Sequence, residues 1–120
     1  ASAGGAITSF LDRMFFAGKE NMVYKPGAAV VSCRRAGSTA TLDQLNKYFT
    51  ISSMPLVGSS YWNMVHGNTP EEVLQDKEGL QTMRNLARNM AWLLHCIEAG
   101  KKAGISVPQP ESGNTTNFIR

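Results

Sequence analysis

The sequence has little cysteine: Cys33 and Cys96 stand far apart among 120 residues, with no CxxC pair. No histidine lies at ligand spacing to either, so no metal site is expected. Each cysteine falls inside an apolar element, which leads us to expect buried, reduced thiols, in agreement with a cytoplasmic setting. Long apolar runs are also missing. The longest stretches fall well short of the roughly 20 residues that a membrane-spanning helix needs, and Asp12 and Arg13 interrupt the first helical pattern, so no membrane insertion is expected. The net charge is +3 and the pI about 9.1, but the basic residues are spread along the chain. They pair only at Arg34 with Arg35 and Lys101 with Lys102, which argues against a nucleic-acid partner. No internal repeat is present, and no spacing among Asp12, Glu71, Glu72 and Glu78 identifies a general acid or base. There is no initiator Met and no leader-like charged and apolar run. The chain enters an amphipathic pattern within a few residues of Ala1, and a truncated or cleaved product is expected.

What is there suits one soluble domain: 42% hydrophobic and 18% charged residues. Ile7, Phe10, Leu11 and Met14 recur at i, i+3, i+4 and i+7, predicting a helix over residues 7–16. A polar loop with Pro26 leads into an almost uninterrupted apolar run over 28–33, the pattern of a parallel strand covered on both faces. A Gly-containing turn over 34–38 follows. Leu42, Leu45 and Phe49 then mark a second helix, with Thr41 and Gln44 spaced as a capping box. Residues 54–57 read as a second strand with Pro55 at its start or on an edge, and 61–68 as an aromatic-rich loop. The third helix, the longest, starts at Thr69 with acidic residues in its first turn and is punctuated by Gly100 and Gly104. Met83 and Met90 in its stripe read as core, and His95 as a structural or surface residue. Residues 105–120, with Pro108, Pro110 and Gly113, read as an extended tail.

Helix, strand, helix, strand, helix is half of a doubly wound α/β domain with parallel strands, and two strands do not make a stable sheet alone. Residues 1–104 form that half and 105–120 the tail. Something must supply the missing strands, either an N-terminal half or another copy of the chain, so a homo-oligomer is expected.

Residues 25–49 (KPGAAVVSCRRAGSTATLDQLNKYF) resemble the flavodoxin-like NADPH-dependent FMN reductase family, especially its iron-sulfur flavoprotein-related branch. Residues 1–5 (ASAGG), 10–13 (FLDR), 61–67 (YWNMVHG) and 116–120 (TNFIR) resemble further family segments, so the likeness covers most of the chain. It implies a five-stranded sheet in the order 2-1-3-4-5, with FMN at the carboxyl ends of the strands. This chain would supply strands four and five. The family's phosphate loop, after strand one, would lie outside it, as would the cysteine segment of the iron-sulfur flavoproteins.

Two segments would approach the flavin ring: Ala1, Ser2 and Gly4 after strand three, and Arg34, Arg35, Gly37, Ser38 and Thr39 after strand four. One arginine is expected to face the crevice and the other solvent. A helix N-terminus and a guanidinium suit the negative charge that reduction places near flavin N1 and the C2 carbonyl. From spacing alone, Gly37, Ser38 and Thr39 can equally be read as a simple turn and helix cap. Tyr61, Trp62, Asn63 and His66 would stand at the carboxyl edge as contacts for substrate or a neighbouring subunit. The other reading has Tyr61 and Trp62 packed under the long helix and His66 bonded to backbone.

The resemblance implies hydride transfer from NAD(P)H to flavin, with electrons passing to a quinone, nitro compound, metal centre or free flavin. The alternative is a non-catalytic half-domain that self-associates through its sheet edge and tail.

Overall fold

A computed structural model describes residues 2–118. Helix α1 (Gly5–Gly18) opens the chain and runs into a single 3₁₀ turn at Lys19–Asn21. Strand β1 (Val31–Cys33) feeds helix α2 (Ser38–Ile51), and strand β2 (Met64–His66) is followed by the short helix α3 (Pro70–Val73) and the long helix α4 (Lys77–Lys102). The two strands are parallel, with Val31 opposite Met64 and Cys33 opposite His66. This is the α/β, partial flavodoxin-like arrangement that the sequence predicts, with four α-helices where three were expected.

The core is small and lies between the sheet and α2. Ala29, Leu42 and Met64 are buried together, with Val31, Leu45 and Phe49 packed against them. Burying a side chain such as Leu42 stabilises the fold by about 1.5–3 kcal/mol. Phe15 is the buried residue of α1 and joins α2 through Tyr48 and Phe49, with ring centroids 5.5 and 6.1 Å away. Gly27 has no Cβ for a steric reason: one would stand 2.9 Å from the Phe49 ring.

Several boundaries differ from the sequence reading. The second strand is not residues 54–57. There a single parallel bridge joins Leu56 to Gly27, with Gly27 N–H donating to the Pro55 carbonyl and Val57 N–H to the Gly27 carbonyl (both 2.9 Å). The chain then leaves the sheet and re-enters at Asn63, whose carbonyl accepts from Val31 N–H at 3.0 Å. Nine residues on this side, from Leu56 to Met64, therefore oppose five on the other, from Gly27 to Val31. Polar Gly58, Ser59 and Ser60 hide this continuation of the strand from a periodicity reading.

Helix α2 begins at Ser38 rather than near Thr41, and Thr41 with Gln44 makes no capping box. The Thr41 hydroxyl and N–H both donate to the Gly37 carbonyl, at 2.8 and 3.0 Å, so Thr41 sits inside the first turn. The long helix is broken near its expected start. Thr69 caps α3 by accepting from Glu72 N–H, and Asp76 caps α4 by accepting from Gly79 N–H at 2.9 Å. The far end of α4 closes as a Schellman turn: Gly104, at φ +80°, donates to Lys101 and Ile105 to Gly100.

Neither cysteine is buried as expected. Cys33 is half-buried and Cys96 is exposed on α4, where the short sheet leaves that helix uncovered; both are free thiols. Met83 and Met90 are half-buried for the same reason, and His95 is exposed. Phe16 (93%), Trp92 (68%) and Val30 (57%) face solvent, so β1 is not covered on both faces. The molecule is a slab of 50 × 47 × 22 Å with a radius of gyration of 17.3 Å, against about 14 Å for a compact domain of this length. No helix among the described residues is long and apolar enough to cross a membrane.

Candidate functional site

Residues 2–4 are placed by α2. Ala3 N–H donates to Gln44 Oε1 at 3.1 Å, and Tyr48 O–H donates to Asp12 Oδ1 at 2.5 Å, tying the loop and α1 to successive turns of α2. The Asp12 carboxylate raises the Tyr48 pKa by accepting the phenolic hydrogen bond, with burial and its negative charge adding to the effect. The outcome is a cleft of about 410 Å³ at the end of β1, where Ser2 and Gly4 meet Gly37, with Ser32, Cys33 and Thr41 between them.

Two helix N-termini open on this cleft. Helix α1 starts after Gly4 and α2 after Gly37, and neither glycine supplies a capping side chain. The first-turn N–H groups of both helices thus lack a side-chain acceptor, and their dipoles favour negative charge at this place. Gly37 has φ 85°, a conformation that L-residues rarely adopt, and it turns the chain directly from β1 into α2.

The expected site residues divide. Ser2, Gly4 and Gly37 line the cleft, whereas Ala1 lies outside the described residues. Arg34 and Arg35 are both exposed and neither lines the cleft, so the expected split between crevice and solvent is not observed. Ser38 is buried at 7% exposure. Thr39 lines a different cleft, on the opposite side of α2, together with Tyr61, Trp62 and Asn63. As cleft residues, Ser32, Cys33 and Thr41 were not expected from the sequence. Cys33 and Ser32 end a strand that points at the cleft, which was the available signal.

Tyr61, Trp62 and Asn63 do not stand at the carboxyl edge, because the second strand is not 54–57, which they follow, but β2, which they precede. They lie at the amino end of β2. Tyr61 and Trp62 are more than half exposed; Tyr61 borders Gly79 and Thr82 of α4 without being buried beneath it. His66 does close β2 at its carboxyl end, where its backbone N–H donates to Asp76 Oδ2 at 2.7 Å and its Nδ1 lies 3.8 Å from the same oxygen. Asp76 is held below the ordinary carboxylate range by N–H donors, first Gly79 and then His66. Gly79 leaves room for that carboxylate, which a Cβ would strike.

The cleft suits the pyrimidine side of a flavin. Its open mouth, its glycine-bordered backbone and its two uncapped helix starts match a flat ring that gains negative charge. Ser2, Gly4 and Gly37 would border the ring, and the first N–H groups of α1 and α2 would face its polar edge. Among the described residues no group of three His, Cys, Asp or Glu side chains gathers to hold a metal ion.

An iron-sulfur flavoprotein of Methanocaldococcus jannaschii is 32% identical over 75 residues, covering 58% of this chain and 39% of that relative. The match therefore spans well under half of the relative's length. No solved structure matches significantly. The pattern of the family described as NADPH-dependent FMN reductase matches residues 1–69. That match covers more than half of the sequence, including both glycine-started helices and β1, and the chain belongs to the NADPH-dependent FMN reductase family.

Proposed function

We propose that this chain forms the ring-binding part of an FMN-dependent NAD(P)H oxidoreductase. The observation that carries the reading is the convergence of two glycine-started helix N-termini on one cleft at the carboxyl end of β1. When bound, FMN supplies a two-electron acceptor for hydride from NAD(P)H and hands the electrons to a further acceptor. The chain's contribution is to bind and orient. Gly37 lets the backbone approach the ring, the α1 and α2 N–H groups stabilise its polar edge, and Arg34 and Arg35 add positive potential from the rim. The phosphate end and the remaining strands are left to a partner, either further sequence of the same fold or another copy.

The test is flavin binding and NADPH-driven bleaching of the bound flavin, with the complementary strands of the family fold added in trans. Saturable binding lost in Gly37→Val supports the reading. Failure of any flavin band to shift at saturating protein, with and without the added strands, would count decisively against it.

A second reading, a half-domain that self-associates without flavin, draws on the free edge of β1. Alternation along a parallel ladder points the Ser32 N–H and carbonyl away from β2. An edge of this kind pairs readily with another strand. The tail over 105–118 is exposed along its whole length and is pinned to the body where Tyr24 O–H donates to the Pro108 carbonyl at 3.0 Å. Such a tail can lie across a second copy. Solution mass decides: a stable monomer that remains flavin-free would eliminate this reading.

A further inference from the structure

The excursion that leaves the sheet after Leu56 and returns at Asn63 is built rather than slack. Ser59 Oγ donates to the Thr82 carbonyl (2.6 Å), Asn85 Nδ2 to Ser60 Oγ (2.9 Å) and Asn89 Nδ2 to the Gly58 carbonyl (2.9 Å), fastening it to α4 at three consecutive residues. Two clefts of about 360 and 350 Å³ flank it, one against α2 and the other against α4, and they share Leu56, Val57 and Gly58 as a common wall. A connected apolar surface therefore runs from Tyr61 and Trp62 in the first cleft, by way of Leu56, to Trp92 in the second.

Strand addition does not account for this surface. Alternation turns the Met64 and His66 N–H groups away from β1, and both are already used: Met64 N–H donates to the Trp62 carbonyl (2.7 Å) and His66 N–H to Asp76 Oδ2 (2.7 Å). The outer edge of β2 thus has no free N–H for sheet extension, whereas the edge of β1 is open. Strands that complete the fold add at β1, on the far side of the sheet from the excursion. What remains beside β2 is a side-chain surface. Tyr61 (54% exposed), Trp62 (58%) and Trp92 (68%) offer roughly 350 Å² among them, given the ~150–250 Å² that an aromatic side chain can bury. Three residues thus supply nearly half of the ~800 Å² per partner that a stable complex buries, and exposed apolar patches of this size mark interaction sites.

Charge of opposite sign borders the patch at its two ends. Asp43, exposed on α2, lines the first cleft. Arg88, exposed on α4, lies beside the excursion, its Nη1 donating to Asn85 Oδ1 (3.4 Å). Neither has an ion-pair partner among the described residues. We infer that the Tyr61–Trp62–Trp92 surface is an isologous interface with a second copy of this chain. An apolar centre with one acidic and one basic end is self-complementary about a two-fold axis, because Asp43 of each copy then meets Arg88 of the other. The contact uses neither the β1 edge nor the flavin cleft, so it stands or falls independently of both functional readings above.

The experiment is sedimentation velocity of the full chain over a range of concentrations. The expected species is a dimer of the 13.1 kDa chain, whose dissociation constant rises about tenfold or more in Trp92→Glu and in each of Asp43→Arg and Arg88→Asp, where like charges meet. All three residues are exposed, so the circular dichroism should stay that of the native chain. An equimolar mixture of Asp43→Arg and Arg88→Asp restores both charge pairs across the axis and should recover the native affinity. A monomeric native chain overturns the inference. So does a dimer of unchanged affinity in Trp92→Glu, which would place the association at another surface such as the β1 edge, and so does a mixture no tighter than its components.

Discussion

Gly37 is the residue on which the α1–α2 cleft, the proposed flavin site, depends most. At φ 85° a β-branched side chain is strained, and Gly37→Val should destabilise the fold by about 1–3 kcal/mol. The midpoint of chemical denaturation measures that loss, and flavin affinity should fall with it. Asp76 gives a pH signature. Its folded pKa is depressed by the Gly79 and His66 N–H groups. Its stabilising contribution is therefore complete above the ordinary carboxylate range and is lost as the pH falls through the lower, folded value. Asp76→Asn should flatten the acid limb of a stability–pH profile, and its difference from the native chain should shrink at the acid end. Asp76→Ala, which also removes the α4 cap, should lower stability by about 0.5–2 kcal/mol at neutral pH.

Element existence was largely legible, because long amphipathic spacing and an apolar run survive any change of context. Ile7, Leu11 and Met14 marked α1, and Leu42, Leu45 and Phe49 marked α2. The break at Asp76 was not legible: Leu74 and Leu80 continue the apolar spacing across it, and only the capping role of Asp76 reveals two helices. Residues 58–63 were harder still. Ser59, Ser60, Asn85 and Asn89 look like ordinary polar surface in sequence, yet three hydrogen bonds among them and the backbone carry the chain out of the sheet and back. Reading the strand at 54–57 rather than at Met64–His66 is what placed Tyr61, Trp62 and Asn63 at the wrong end of it. Of the residues that line the α1–α2 cleft, Gly37 was legible as the turn into α2, whereas Ser2 and Gly4 were expected from the family resemblance alone. Arg34 and Arg35 were not legible, since side-chain direction in a turn has no sequence period. If the three α4 contacts fix the excursion, Asn85→Ala with Asn89→Ala should speed amide hydrogen exchange over residues 58–63 and leave that of α2 unchanged.

At the scale of the molecule, a slab 22 Å thin with Phe10, Phe16 and Trp92 exposed and a two-stranded sheet is marginal by itself. The chain alone should therefore show a concentration-dependent mass above 13.1 kDa in light scattering, moving toward a single species when complementary strands are added.

The most direct test of the central claim is a visible-absorption titration of FMN with the chain and with its Gly37→Val variant, each supplemented with the complementary strands of the fold. A saturable shift of the flavin band in the native chain, bleached by NADPH under anaerobic conditions and lost in the variant, is the predicted result. An unshifted band, or an identical shift in the two proteins, would contradict the assignment of the α1–α2 cleft to the flavin ring.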